Sequence, residues 1–176
     1  AGLYLAIWAL IARFFVRTTI PQVATGEVSL TRRMEKFAPV CMVLYALTQS
    51  FPAFVWVMSL ESAWFSTMFP VYFFAASCCG FFATLILLSI NLQRMGRLTH
   101  SITLEHYQDL SKLLFAFGIV FWAYIAYSQY MLIWYANIPE EVPFYLVRQE
   151  EGWLAFSLLL LFGHFVAPFL AIMSRH

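Results

Sequence analysis

Charge is what this 176-residue sequence has least of: Asp, Glu, Lys and Arg make up 11% of it, against about a quarter in ordinary soluble domains. A soluble fold could not hide the apolar surface that this shortage implies. The three cysteines, Cys41, Cys78 and Cys79, form neither CxxC nor CxxCH. That spacing supports neither an iron–sulfur centre nor covalently attached haem, and leaves a buried structural role for the thiols. Of four histidines only His164 falls inside a long apolar block, so a bis-histidine haem between helices has no second ligand. His100, Glu105, His106 and Asp109 lie close together, but their spacing matches no metal signature and a solvated face accounts for them. Phosphate-cradling glycine loops and nucleophile elbows are missing too. No metal or cofactor site is therefore expected on this chain.

What is present is apolar and blocked. Hydrophobic residues make up 62% of the chain and aromatic ones 19%. They gather into five blocks: Ala1 to Val16, Phe37 to Leu60, Met68 to Gln93, Leu113 to Ala136 and Trp153 to Met173. The last four reach the roughly 20 residues that an α-helix needs to cross the hydrocarbon core. The first begins inside an apolar run without an initiator Met and is short for a crossing, so a piece of a longer polypeptide is expected. A signal peptide is the competing reading, but its basic residues would precede the run, and here they follow it. The expected fold is all-α: a polytopic transmembrane helical bundle with four full spans and a partial first helix, forming one domain over residues 1–176.

Lys and Arg set the expected orientation. Arg13, Arg17, Arg32, Arg33 and Lys36 flank the first connection, Arg94, Arg97 and Lys112 the third, and Arg175 the C-terminus. The second connection has none and the fourth only Arg148. Basic residues accumulate on the cytoplasmic side, which puts residue 1 outside and the C-terminus inside. Topology thus accounts for the cations, and no basic patch remains for nucleic acid. Residues 17–36 read as a polar connection, and 94–112 as a turn followed by an amphipathic interfacial piece in which Leu104, Tyr107, Leu110 and Leu114 recur at helical spacing. Pro139 and Pro143 interrupt the segment 137–152 too often for a long helix.

Polar groups inside the blocks are the candidate functional residues, because they are costly in a bilayer and face the bundle interior. His164 lies near mid-span. Ser157 two turns before it and Pro168 one turn after it share its expected face. Pro168 lacks an N–H and frees the carbonyl of His164, and an imidazole beside a freed carbonyl is suited to pass protons. An interhelical hydrogen bond is the plainer reading. A second stripe joins Met42, Tyr45, Gln49, Pro52, Trp56 and Ser59, where Pro52 frees the carbonyl of Thr48 in the same way. Ser77, Gly80 and Thr84 share a face read as close helix packing. Tyr124, Ser128, Met131 and Tyr135 share another, with Gln129 beside it. No Asp or Glu lies mid-span. The candidates for a proton path are therefore His164, Gln49, Tyr45, Ser157, Tyr124, Ser128 and Gln129.

The run from Phe121 to Glu141 (FWAYIAYSQYMLIWYANIPEE) resembles the signature of the large membrane subunits of bacterial alternative complex III, and more specifically that of the F-type one. These subunits belong to the polysulfide-reductase-type membrane-anchor family. The resemblance is specific over residues 121–141 and compatible with the rest. It implies a ten-helix protein with a four-helix bundle in each half, of which this chain would be the C-terminal half. It also implies a role in a quinol:electron-acceptor oxidoreductase of the bacterial inner membrane. The partners would be an iron–sulfur subunit, c-type haem subunits, the sister polytopic membrane subunit and a terminal oxidase, with haem c and iron–sulfur clusters on those partners and lipid around them. In that family quinol oxidation is assigned to the sister subunit, and proton half-channels are proposed for the F-type one. A structural scaffold subunit and a proton-coupled secondary transporter are the alternative functions.

Overall fold

The structure, a computed structural model, describes residues 2–61, 64–150 and 152–173. Among these the chain is helical and carries no strand. Five helices are long and apolar enough to cross a membrane: Gly2–Thr25, Val28–Leu60, Phe69–Arg94, Leu104–Ala136 and Trp153–Met173. The shortest has 21 residues, about 31 Å at 1.5 Å per residue, which matches a hydrocarbon core of about 30 Å. The protein is an all-α, multi-pass membrane bundle. Its surface confirms the class by inversion: Leu3, Leu60, Leu87 and Phe156 point outward, while Gln49, Ser89 and Gln129 are buried.

The chain divides into two compact units, Ala1–Leu60 and Glu61–His176. In the first, α1 (Gly2–Thr25) and α2 (Val28–Pro52) form an antiparallel hairpin. The polar stretch read as a connection is thus mostly helix. Once past the apolar block nothing opposes helical hydrogen bonding, and Thr18 and Thr25 turn their hydroxyls onto the carbonyls of Phe14 and Pro21, at 2.8 and 2.9 Å. The reversal needs only Gly26 and Glu27, with Gly26 at φ +69°, a left-handed position that glycine takes without strain. Aromatic rings hold the hairpin together: Tyr4 lies 6.3 Å from Phe51, Trp8 5.9 Å from Tyr45, and Phe14 5.5 Å from Phe37. Beyond Pro52 the helix runs on through a π-helical segment, Ala53–Val57, and a last 3-10 turn, Met58–Leu60.

In the second unit α3 (Phe69–Arg94) is followed by α4 (Leu104–Leu113), which does not end at an interface. It continues through a π-helical segment, Leu114–Val120, into α5 (Phe121–Ala136) as one helix. The amphipathic start is simply the part of that helix outside the apolar layer. Tyr107 donates to Gln93 Oε1 at 2.8 Å, and Gln93 Nε2 donates to the Ile102 carbonyl at 2.7 Å, which ties α4 to the end of α3. Asn137 ends α5 in the left-handed region, at φ 49°. The interrupted segment after it holds only the short α6 (Val142–Val147). The last helix combines α7 (Trp153–Leu159), a π-helical segment (Leu160–Val166) and α8 (Ala167–Met173).

The packing seam of α3 differs from the expected one. Gly80 and Thr84 are exposed, and a Cβ added at Gly80 would meet nothing within 4 Å. The inward face instead follows Tyr72, Ala75, Cys79, Phe82, Ile86 and Ser89, at alternating spacings of three and four. The close approach is made from the other side: a Cβ on Gly118 would lie 2.7 Å from Cys79 Cα. Glycine permits the contact there.

Candidate proton-transfer site around His164

Two of the three π-helical segments among the described residues meet at this site. In each, the helix registers one residue late: Phe121 N–H bonds the Ala116 carbonyl, and Ala167 N–H bonds that of Phe162. The wider turn redirects carbonyls and side chains that a regular helix would hold in line. For the last helix Pro168 supplies a reason, since it offers no N–H to the preceding turn.

The imidazole of His164 crosses to the neighbouring helix, where Nε2 lies 3.1 Å from the Gly118 carbonyl oxygen. Its partner is thus a carbonyl 46 residues away on another helix. A carbonyl only accepts, so Nε2 carries the proton and Nδ1 of the neutral ring keeps a lone pair for another donor. The ring also lies over Trp122, with centroids 4.1 Å apart and planes 31° apart. Trp122 is 6% exposed, and its ring lies against that of Tyr72, with centroids 5.5 Å apart. Tyr72, Trp122 and His164 therefore form one line of packed rings within the second unit. Toward the end of the bundle that carries residues 104 and 173 the line stops. Phe115 and Phe165 both pack on Phe169 there, each at 5.4 Å.

At the opposite end Phe144 is held between two flat groups. Trp64 stacks on it at 3.7 Å and 8°, and the Arg148 guanidinium sits 3.3 Å above its other face. Burial pulls the Arg148 guanidinium below its usual range, while Glu61 holds it up. Burial pushes the Tyr145 hydroxyl well above its usual range, so it stays a neutral donor.

The remaining candidates separate. Ser157 donates to the Arg148 carbonyl at 2.9 Å. Tyr124 is 63% exposed on the outer face of α5 and Ser128 is half-buried, whereas Gln129 is 7% exposed. Tyr45 and Gln49 belong to the first unit. There Trp8 Nε1 donates to Thr48 Oγ1 at 3.0 Å, and Thr48 donates to the Leu44 carbonyl at 2.7 Å. Gln49 is 3% exposed, and its Nε2 is a buried donor with no partner among the described residues. Such a donor costs about 1–3 kcal/mol until an acceptor or a water reaches it. At the start of α4 His106 Nδ1 accepts from the Thr103 N–H, and Asp109 pairs with Lys112 at 2.8 Å. Among the described residues no three metal-ligating side chains converge.

Gly118, Trp122 and Tyr72 were not singled out by the sequence. Trp122 lies inside the Phe121 to Glu141 run, but nothing local marks it as the residue beneath His164. What these helices define is a multi-pass α-helical membrane protein with one intramembrane histidine hydrogen-bonded between helices. No protein-family model matches the chain, and no curated protein matches it.

Proposed function

We propose that this chain is a membrane subunit of a bacterial quinol:electron-acceptor oxidoreductase of the alternative complex III type, corresponding to its F-type polytopic component. In this reading it works beside an iron–sulfur subunit, c-type haem subunits and the sister membrane subunit, and those partners hold the redox centres. It lies in the inner membrane with its first residue outside and its C-terminus inside, as the Lys/Arg bias favours. Its own part is to take up or release protons at His164. The observation that carries this is the His164 Nε2 contact with the Gly118 carbonyl, which fixes one tautomer and leaves Nδ1 as the proton-accepting atom. With Phe115, Phe165 and Phe169 closing the seam on one side, exchange at Nδ1 runs to the opposite face alone, as a half-channel.

The scaffold reading is favoured by a separate observation, the glycine contact at Cys79, which needs no polar path. A secondary transporter is less well supported. Such proteins bind substrate at broken helices, and here the Leu104–Ala136 and Trp153–Met173 helices run uninterrupted through their π turns. Two substitutions separate proton transfer from scaffolding in the assembled complex. His164→Gln keeps an N–H for the Gly118 carbonyl but does not titrate, and His164→Phe removes both. The expected result is assembly and quinol oxidation in both variants, with the protons released or taken up per quinol reduced in both. Wild-type coupling in His164→Gln would sink the proton role and leave the tie between helices.

A further inference from the structure

We infer that the second unit carries a retained phospholipid with a zwitterionic, amine-bearing headgroup, its acyl chain lying in the groove between α5 and the last helix. The groove has a volume of about 640 Å³ and is lined by apolar and aromatic side chains, among them Val120, Ala126, Leu161, Phe165 and Phe169. It runs from Val120 to Tyr130 on one wall and from Phe169 to Ser157 on the other. Those stretches measure about 15 and 18 Å of helix, close to the depth of one leaflet in a hydrocarbon core of about 30 Å. A groove of that length and chemistry fits one extended acyl chain.

Its end is not closed. Tyr130 is shared with a second recess of about 210 Å³, lined by Asn137, Tyr145 and Gln149 as well as Ile133 and Trp134. That recess sits beyond the end of α5, at headgroup depth, and offers amide and phenol groups. Burial keeps the Tyr145 hydroxyl protonated and available to donate to a phosphate oxygen. An apolar trough one leaflet deep that opens into a polar cup at the interface has the shape of a phospholipid. A carrier with an uncharged ring would leave the cup's donors and acceptors poorly used.

Charge selects the head. The segment 137–152, which supplies Asn137, Tyr145 and Gln149 to the cup, carries Glu140, Glu141, Glu150 and Glu151 in its sequence against one base, Arg148. The Arg148 guanidinium is already committed, with Nη1 donating to the Phe144 carbonyl at 2.5 Å and its plane over the Phe144 ring. A purely anionic head would meet a segment with four acidic residues against one basic residue. A head that adds an ammonium to its phosphate meets both needs.

The test is native mass spectrometry of the assembled complex after detergent washing, with reloading from phosphatidylethanolamine, phosphatidylglycerol or a long-tailed quinone at equal concentration. Wild type should keep one phosphatidylethanolamine attributable to this chain and reload it in preference to the other two. Ala126→Phe, which fills the groove, should lower occupancy at least about tenfold, the size of effect expected for roughly 1.4 kcal/mol of lost binding. Gln149→Ala should weaken the headgroup preference without filling the groove, and Leu87→Phe, on an exposed face of α3, should change nothing. Equal retention in wild type and Ala126→Phe, equal reloading by phosphatidylglycerol, or displacement of the lipid by the quinone would each overturn the site. Because the readout is bound lipid rather than turnover, it stands or falls apart from the proton role of His164.

Discussion

Gly118 is used twice, since its Cα faces Cys79 and its carbonyl takes the imidazole of His164. Gly118→Ala places a methyl 2.7 Å from a backbone atom that has no rotamer to yield. It should lower the thermal stability of the complex by the equivalent of about 1–3 kcal/mol, as overpacking does. Gly80→Ala, with open space around its Cβ, should be neutral or gain up to about 1 kcal/mol from the smaller backbone entropy of alanine in a helix. Parallel melting curves of the two variants check the contrast, and equal losses would show that the seam lies elsewhere. His164 was legible in the sequence as the one histidine inside an apolar block. Its partners were not, because the register between two helices is fixed by side chains far apart in the chain. No local period encodes which carbonyl an imidazole will meet.

The helices themselves were legible in number and kind, because 20 apolar residues in a row leave a backbone in lipid no choice but to satisfy its own hydrogen bonds. Their ends were less so. Residues 17–25 and 104–112 are polar, yet they extend helices already nucleated in the apolar layer. The π-helical segments were half legible: Pro52 and Pro168 warn of a defect, but Leu114–Val120 contains no proline. If Pro168 holds the last helix in the π register, Pro168→Ala should restore regular hydrogen bonding and rotate the preceding turns by about 100°, one residue of helix. His164 would then leave the Gly118 carbonyl. A double-mutant cycle checks this: His164→Phe should cost about 1 kcal/mol in the wild-type background and close to nothing in Pro168→Ala. The same cost in both would show that Pro168 does not set the contact.

Among the described residues many large apolar side chains face outward, while Gln49, Ser89 and Gln129 are buried. That inversion makes the protein a membrane bundle, and the low charge already announced it. The division into two units was not visible in the sequence, where all the blocks look alike. The candidate site lies in the second unit alone, and the run from Phe121 to Glu141 supplies both Trp122 and one wall of the lipid groove. A working respiratory subunit of this kind would bring its redox partners with it. The most direct measurement is therefore purification of the tagged chain from its native membrane in mild detergent, followed by visible absorption and low-temperature electron paramagnetic resonance. The expected result is reduced haem c absorption and iron–sulfur signals at fixed ratio to the chain, with quinol-dependent reduction of the haem. A chain that purifies intact and lipid-bound, with neither haem nor iron–sulfur signal, would contradict membership of a quinol-oxidising complex.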